Sequence, residues 1–261
     1  MRLAGQAAVI TGGGRGIGRA IALAFAQEGA HLVLASDVEA EVQAVAAEAR
    51  GFGQKALALK ADVTRSDEME AMARRAVAEL GHLDILVTCA GIDGTGLLLE
   101  QDEAEWRRVI DVNLFGTYRA MRAVLPQMMR QKAGRIIAIA SVFGKQAGQG
   151  FVTAYITSKH GVIGLTRAVA AELGSLGYPE ITVNAVCPGY VRAGMWMRPQ
   201  PTPSGEMLGP EIFERYLKNR VPQRRMMEAE EVANVAVFLA LPETRGMTGQ
   251  ALNIDGGLHM S

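Results

Sequence analysis

Short, continuously apolar runs alternate with longer amphipathic stretches along nearly all of the 261 residues, and this alternation limits the possible folds more than any other feature. Ala7–Thr11, His31–Ala35, Lys55–Lys60, Leu83–Val87, Arg135–Ala140, Ile181–Val186 and Ala251–Ile254 read as strands. Ile17–Gln27, Glu39–Arg50, Asp67–Leu80, Glu103 to about Gln131, Ala154–Leu173 and Glu228–Ala240 read as helices. A strand that is apolar on both faces must be covered on both, so the pattern predicts an α/β protein with a parallel sheet between two helical layers. One segment breaks the rhythm. Between Pro188 and Arg225 lie Met195-Trp196-Met197, the prolines 199, 201 and 203, and one short helical pattern at Glu211–Leu217. It is too long for an ordinary connection and reads as a lid or binding loop.

Charge and cysteine content exclude other classes. With 27 basic and 27 acidic side chains the formal net charge is zero, so there is no overall field to hold nucleic acid or an anionic membrane. Cys89 and Cys187 are far apart and neither belongs to a CxxC. They read as small core residues in a reducing compartment, without a disulfide framework or metal site. The first apolar run stops at Thr11-Gly12, too early for a signal-peptide core, and no later run reaches about 18 apolar residues. A cytoplasmic protein with no nucleic-acid, membrane or metal partner is expected.

The turn Thr11-Gly12-Gly13-Gly14-Arg15-Gly16-Ile17-Gly18 lies between the first strand and the first helix. There, glycines let the backbone approach a pyrophosphate, while unpaired helix amides and the helix dipole favour its charge. Asp37 follows nineteen positions after Gly18, just past the second strand. A carboxylate there can accept hydrogen bonds from the adenosine ribose and repel a 2′-phosphate, which favours NAD over NADP; a helix N-cap is the alternative. Asp62, after the third strand, could accept from the adenine amino group or merely cap a loop.

Tyr155 and Lys159 are four residues apart, on one face of a helix. A free phenol has a pKa of about 10. A neighbouring cation favours the phenolate and lets such a tyrosine exchange protons near neutral pH. Ser141 ends a strand, and Asn113 sits inside the apolar helical run Val109–Leu114, where it needs hydrogen-bond partners.

Together these motifs resemble the short-chain dehydrogenase/reductase family over essentially the whole chain. In family order they are Thr11-Gly12…Gly16-Ile17-Gly18, Asp62-Val63, Ala90-Gly91, Asn113, Ser141, Tyr155…Lys159, Pro188-Gly189 and Asp255-Gly256-Gly257. The resemblance implies a Rossmann-like doubly wound sheet and a single dinucleotide-binding and catalytic domain spanning 1–261, with a lid at about 190–225. It implies that Tyr155 is the general acid/base and that Lys159 binds the nicotinamide ribose and lowers the Tyr155 pKa. Ser141 would hydrogen-bond the reacting oxygen, Asn113 would order water behind Lys159, and Val191 would meet the carboxamide through its backbone. The implied cofactor contacts are Gly12, Arg15, Gly16, Ile17, Gly18, Asp37, Asp62, Val63, Ala90, Gly91, Tyr155, Lys159, Pro188, Gly189 and Val191. The long helices and the last strand would build a homotetramer.

Four positions depart from the family pattern. Thr88-Cys89 replaces a pair of asparagines, and the Ser141–Tyr155 spacing is one residue longer than usual. The threonine common after Pro-Gly is absent from Val191–Met195, and Ser36 occupies the usual acidic position, with Asp37 next.

The expected reaction is NAD-dependent hydride transfer with a secondary alcohol or ketone, as in the polyol and hydroxyacid group. The alternatives are an NADPH-dependent β-ketoacyl (carrier protein or CoA) reductase and a cofactor-binding regulator that no longer catalyses. Gln149, Phe151, Tyr190, Met195 and Trp196 are the expected pocket side chains; lid packing is the competing explanation. His259 could reach a neighbouring subunit or lie in a solvated tail. From Tyr190 to Arg225 there are seven basic residues against three acidic ones. Facing the cleft they imply an anionic substrate; facing solvent they leave a neutral polyol or ketone equally open.

Overall fold

The computed structural model describes residues 1–147, 150–197, 200–201 and 207–260. Seven strands form one parallel sheet in the order β3-β2-β1-β4-β5-β6-β9. In chain order the first half runs β1 (Ala7–Thr11), α1 (Gly16–Gln27), β2 (His31–Ser36), α2 (Glu39–Arg50), β3 (Ala56–Lys60), α3 (Ser66–Leu80) and β4 (Ile85–Thr88). Then come α4 (Glu103–Ile110), a π-helical segment (Asp111–Phe115), α5 (Gly116–Gln131), β5 (Gly134–Ile139), α6 (Thr153–Ser175) and β6 (Ile181–Pro188). The lid segment holds a 3-10 turn (Gly194–Met197), the antiparallel pair β7 (Gln200–Pro201) and β8 (Met207–Leu208), and α7 (Pro210–Leu217). The chain returns through α8 (Ala229–Ala240) to β9 (Ala251–Ile254).

Both faces of the sheet are buried, which is why its strands read as unbroken apolar runs. Ala8 and Ile10 of β1 pack in the layer of α1, α2 and α8, while Ala7 and Val9 pack in the layer of α3, α5 and α6. Their neighbours Leu32 and Leu34 join the first layer, and Val33 and Ala35 the second.

Three boundaries differ informatively from expectation. Leu83 lies outside β4, because its amide and carbonyl are both taken by the Gln131 side chain, at 3.0 and 2.9 Å. β6 continues past Val186 to Pro188 and so carries Pro188-Gly189 to the sheet edge. The single helix expected from Glu103 to Gln131 is instead split by the π-helical turn around Asn113. Hydropathy runs smoothly through that turn and gives no sign of the extra residue. π turns recur at functional sites.

Candidate active site

At the end of β1, Gly12 takes φ +66° and donates its amide to Ala35 O at 2.7 Å. A methyl group on Gly12 would stand 2.7 Å from Ala90 Cα, and one on Gly18 would stand 2.1 Å from Gly12 O. The turn therefore lies flat between β4 and α1. Arg15, the N-cap of α1, is extended and makes no side-chain cap, which leaves the first amides of α1 to an outside acceptor.

A cavity of about 540 Å³ opens above the carboxyl ends of the strands, across β1 and β4, where the strand order reverses. Open α/β sheets bind ligands at such a switch point. Gly12, Arg15, Gly16, Ile17 and Gly18 line it from β1 and α1. Asp37, Asp62 and Val63 line it from the ends of β2 and β3, and Ala90 and Gly91 from the end of β4. Ser141, Tyr155 and Lys159 line it beyond β5, and Pro188, Gly189 and Val191 beyond β6. Residues spread over 180 positions of sequence are thus brought to one wall.

At one end, Asp37 is exposed and accepts a 3.2 Å hydrogen bond from Ser36 Oγ. The cap position of α2 belongs to Val38, so Asp37 is not the N-cap. Glu41 also lines this end and lies 3.9 Å from the Arg15 guanidinium. Asp62 Oδ1 accepts from Thr64 N at 2.8 Å, the loop-capping arrangement.

At the other end, Tyr155 is only 8% exposed, and the Ser141 hydroxyl faces its phenol. Burial pushes the phenol up to about 12, and Ser141 pulls it part of the way back. Lys159 Nζ is 5.6 Å from the Tyr155 ring centroid and donates to Ile139 O at 2.9 Å. Burial lowers its ammonium to about 8. Desolvation dominates the phenol in this structure, and Ser141 opposes it.

Asn113 is not on the cavity wall. Buried behind it, its Oδ1 accepts from Ile92 N at 2.8 Å, and its Nδ2 donates to Ile92 O at 2.9 Å and Ser158 Oγ at 3.0 Å. The side chain clamps the backbone after Gly91, which resolves the cost of an amide in an apolar run. Cys89 lines the cavity, and burial raises its thiol to about 12. Next to it, Thr88 Oγ1 is buried without a hydrogen-bond partner among the described residues, at a position where the family usually has asparagine.

The expected pocket side chains are placed differently. Tyr190 packs edge-on against Phe143, ring centroids 5.8 Å apart, in a cluster with Leu217, Val221 and Met226 beneath the cavity. Phe151 is off the wall, in the left-handed region at φ +65°, and its carbonyl accepts from Gly96 N at 2.8 Å. Gln149 and the side chains of Met195 and Trp196 lie outside the described residues. The half-buried ring of His259 meets Gln146 Oε1 of its own chain at 3.2 Å. Part of the lid's basic excess is neutralised within the chain. Arg192 pairs with Glu228 at 3.2 Å and Arg225 with Glu231 at 2.7 Å, and no described basic residue of the segment lines the cavity. Sequence reasoning missed Glu41, Asp93, Arg108 and Asp111, which do line it. Asp93 is in a loop and the others stand at helix ends, where apolar spacing gives little sign of a facing direction.

The profile of a family described as enoyl-(acyl carrier protein) reductase matches residues 12–259. The 3-oxoacyl-[acyl-carrier-protein] reductase FabG of Staphylococcus aureus is 38% identical over 256 residues, 98% of each chain. The chain belongs to the short-chain dehydrogenase/reductase family. The oxidoreductase UcpA of Salmonella typhimurium is also 38% identical, over 98% of this chain and 95% of its own. Among solved structures, carveol dehydrogenase from Mycobacterium avium in complex with NAD superposes with TM-score 0.92 at 31% identity, over 98% of both chains. A short-chain type dehydrogenase/reductase from Mycobacterium marinum gives 0.88 at 34% identity. This short-chain dehydrogenase/reductase is an NAD(P)-dependent oxidoreductase acting on a small molecule, and its uncapped α1 and flat glycine turn suit a dinucleotide. No helix among the described residues is long and apolar enough to cross a membrane.

Proposed function

We propose that the protein is an NAD-dependent dehydrogenase of a secondary alcohol, working as a cytoplasmic homotetramer. The observation that carries this reading is the buried Ser141–Tyr155 pair beside Lys159, at the opposite end of the cavity from Asp37. Bound NAD supplies the hydride acceptor. Tyr155 takes the alcohol proton as its phenolate, the form that the Lys159 cation beside the ring favours, and Ser141 holds the same oxygen in line. Lys159, with its charge made costly by burial, gains from ribose hydroxyls that accept its protons. Asn113 acts one step back, fixing Ile92 and Ser158 so that the wall holds its shape.

NAD is favoured over NADP because Asp37 and Glu41 place two carboxylates at the adenosine end, and Glu41 partly neutralises Arg15, the cation there that could meet a 2′-phosphate. The FabG relatives support a second reading, an NADPH-dependent β-ketoacyl reductase. A screen of alcohols and ketones with both cofactors, followed by absorbance of the reduced nicotinamide, separates the two. NAD-linked alcohol oxidation is expected, and strict dependence on NADPH with β-ketoacyl substrates overturns the reading. Tyr155→Phe is expected to lower kcat by at least about a hundredfold while NAD still binds; retained turnover removes Tyr155 from its role. The whole chain then serves as one catalytic unit, with 190–225 as its lid.

A further inference from the structure

Asp93 follows β4 by a few residues, and its placement is fixed. The residue before it, Ile92, is held at both amide and carbonyl by Asn113. Just beyond it, Gly96 N donates to Phe151 O at 2.8 Å, tying this loop to the segment that leads into Tyr155. Asp93 therefore belongs to the Tyr155 end of the cavity, away from Asp37 and Asp62.

Its chemistry there is distinctive. The other charged residues on the wall each have a protein partner: Arg15 with Glu41, Asp37 with Ser36, Asp62 with Thr64, Arg108 with Glu105, Asp111 with Arg119, and Lys159 with Ile139 O. Asp93 is half-buried on the same wall, and no hydrogen bond or ion pair joins it to the described residues. A carboxylate only accepts hydrogen bonds. A ligand that closes over it must supply a donor in place of solvent, and a second anion is repelled.

We infer that Asp93 is the specificity residue of this site, accepting a hydrogen bond from a second donor beside the reacting carbon, so that the substrate is a neutral vicinal diol or polyol rather than a hydroxyacid or an acyl thioester. This rests on the alcohol-dehydrogenase reading above and deepens it. A hydroxyacid would bring its carboxylate against that of Asp93, and a β-ketoacyl thioester would bring only an acceptor. Among the described residues, the lid places no compensating cation on the cavity wall.

The test compares isopropanol, propylene glycol and lactate, which differ only in the group next to the reacting carbon, together with cyclohexanol and its vicinal diol. Wild type, Asp93→Ala and Asp93→Asn are assayed, and NAD affinity is followed by quenching of protein fluorescence. Wild type is expected to prefer diol over monool by about tenfold or more in kcat/KM and to reject lactate, as sites built to hydrogen-bond a substrate do. Asp93→Ala should erase the diol preference and Asp93→Asn should admit lactate, both with unchanged NAD affinity. Equal use of diol and monool by wild type, or a preference that survives in Asp93→Ala, overturns the inference and leaves the dehydrogenase reading standing. So does a parallel fall in NAD affinity, which would make Asp93 a cofactor contact. Inactivity of wild type on every alcohol in the set and in the wider screen overturns the reading beneath it.

Discussion

At the residue scale, the site stores part of its chemistry as instability. Lys159 is buried, and its ammonium falls to about 8 from an ordinary 10.5. Below pH 8 the lysine is protonated folded and unfolded, and the fold carries the full penalty. Between pH 8 and 10.5 the folded chain releases the proton while the unfolded chain keeps it, so stability rises with pH; above that range the penalty is gone. Replacing the ammonium by a methyl thioether of similar length removes the penalty. Lys159→Met is therefore expected to be inactive yet more stable at pH 7, by on the order of 2 kcal/mol. Denaturant melts at pH 7 and near pH 10 check this, because the gain should shrink at the higher pH. A variant less stable than wild type at pH 7 would show that the bond from Lys159 to Ile139 O outweighs desolvation. Tyr155 has the opposite window: its raised pKa costs stability only above pH 10, where the unfolded phenol ionises first.

At the element scale, the π-helical turn at Asp111–Phe115 separates what could be read in the sequence from what could not. Strands such as Ala7–Thr11 and Ala251–Ile254, and the helix Glu39–Arg50, could be placed from apolar spacing because each packs a continuous face. Asn113 could be singled out as anomalous, but its partners Ile92 and Ser158 lie 21 and 45 residues away and nothing local announces them. Asp93 was less legible still, since a loop carboxylate looks solvated until its neighbours are known. Tyr190 misled in the other direction, because an aromatic residue after Pro-Gly suits a pocket and a packed cluster equally well. Removing the clamp tests its weight. Asn113→Ala leaves the Ile92 amide and carbonyl and the Ser158 hydroxyl short of partners, at about 1–3 kcal/mol for each buried group left unsatisfied. A fall in Tm of several degrees is expected, with KM rising for alcohols because Asp93 loses its anchor. A variant with unchanged Tm would show that water replaces the amide.

At the scale of the whole molecule, Phe115 and Tyr118 near the start of α5 and Phe238 of α8 remain between 43 and 47% exposed. Each belongs to a helix already packed against the sheet on its other side, which is the pattern of a surface awaiting a second copy. Light scattering at micromolar concentration is expected to give the mass of four chains, and a stable monomer would remove the tetramer. The doubly wound architecture itself could be read in advance, since unbroken apolar strands alternating with amphipathic helices leave few other arrangements.

The parallel sheet also sets an order of events in time. All neighbouring strands are parallel, so every adjacency closes a long loop, and such topologies form slowly. The cavity gathers residues from Gly12 to Gly194, and its glycine turn has no wall until β4 has brought Ala90 alongside. A half-folded chain therefore holds no dinucleotide. The cofactor meets only the finished molecule, where it retards unfolding without hastening folding, and it lengthens the life of a protein whose assembly it cannot guide.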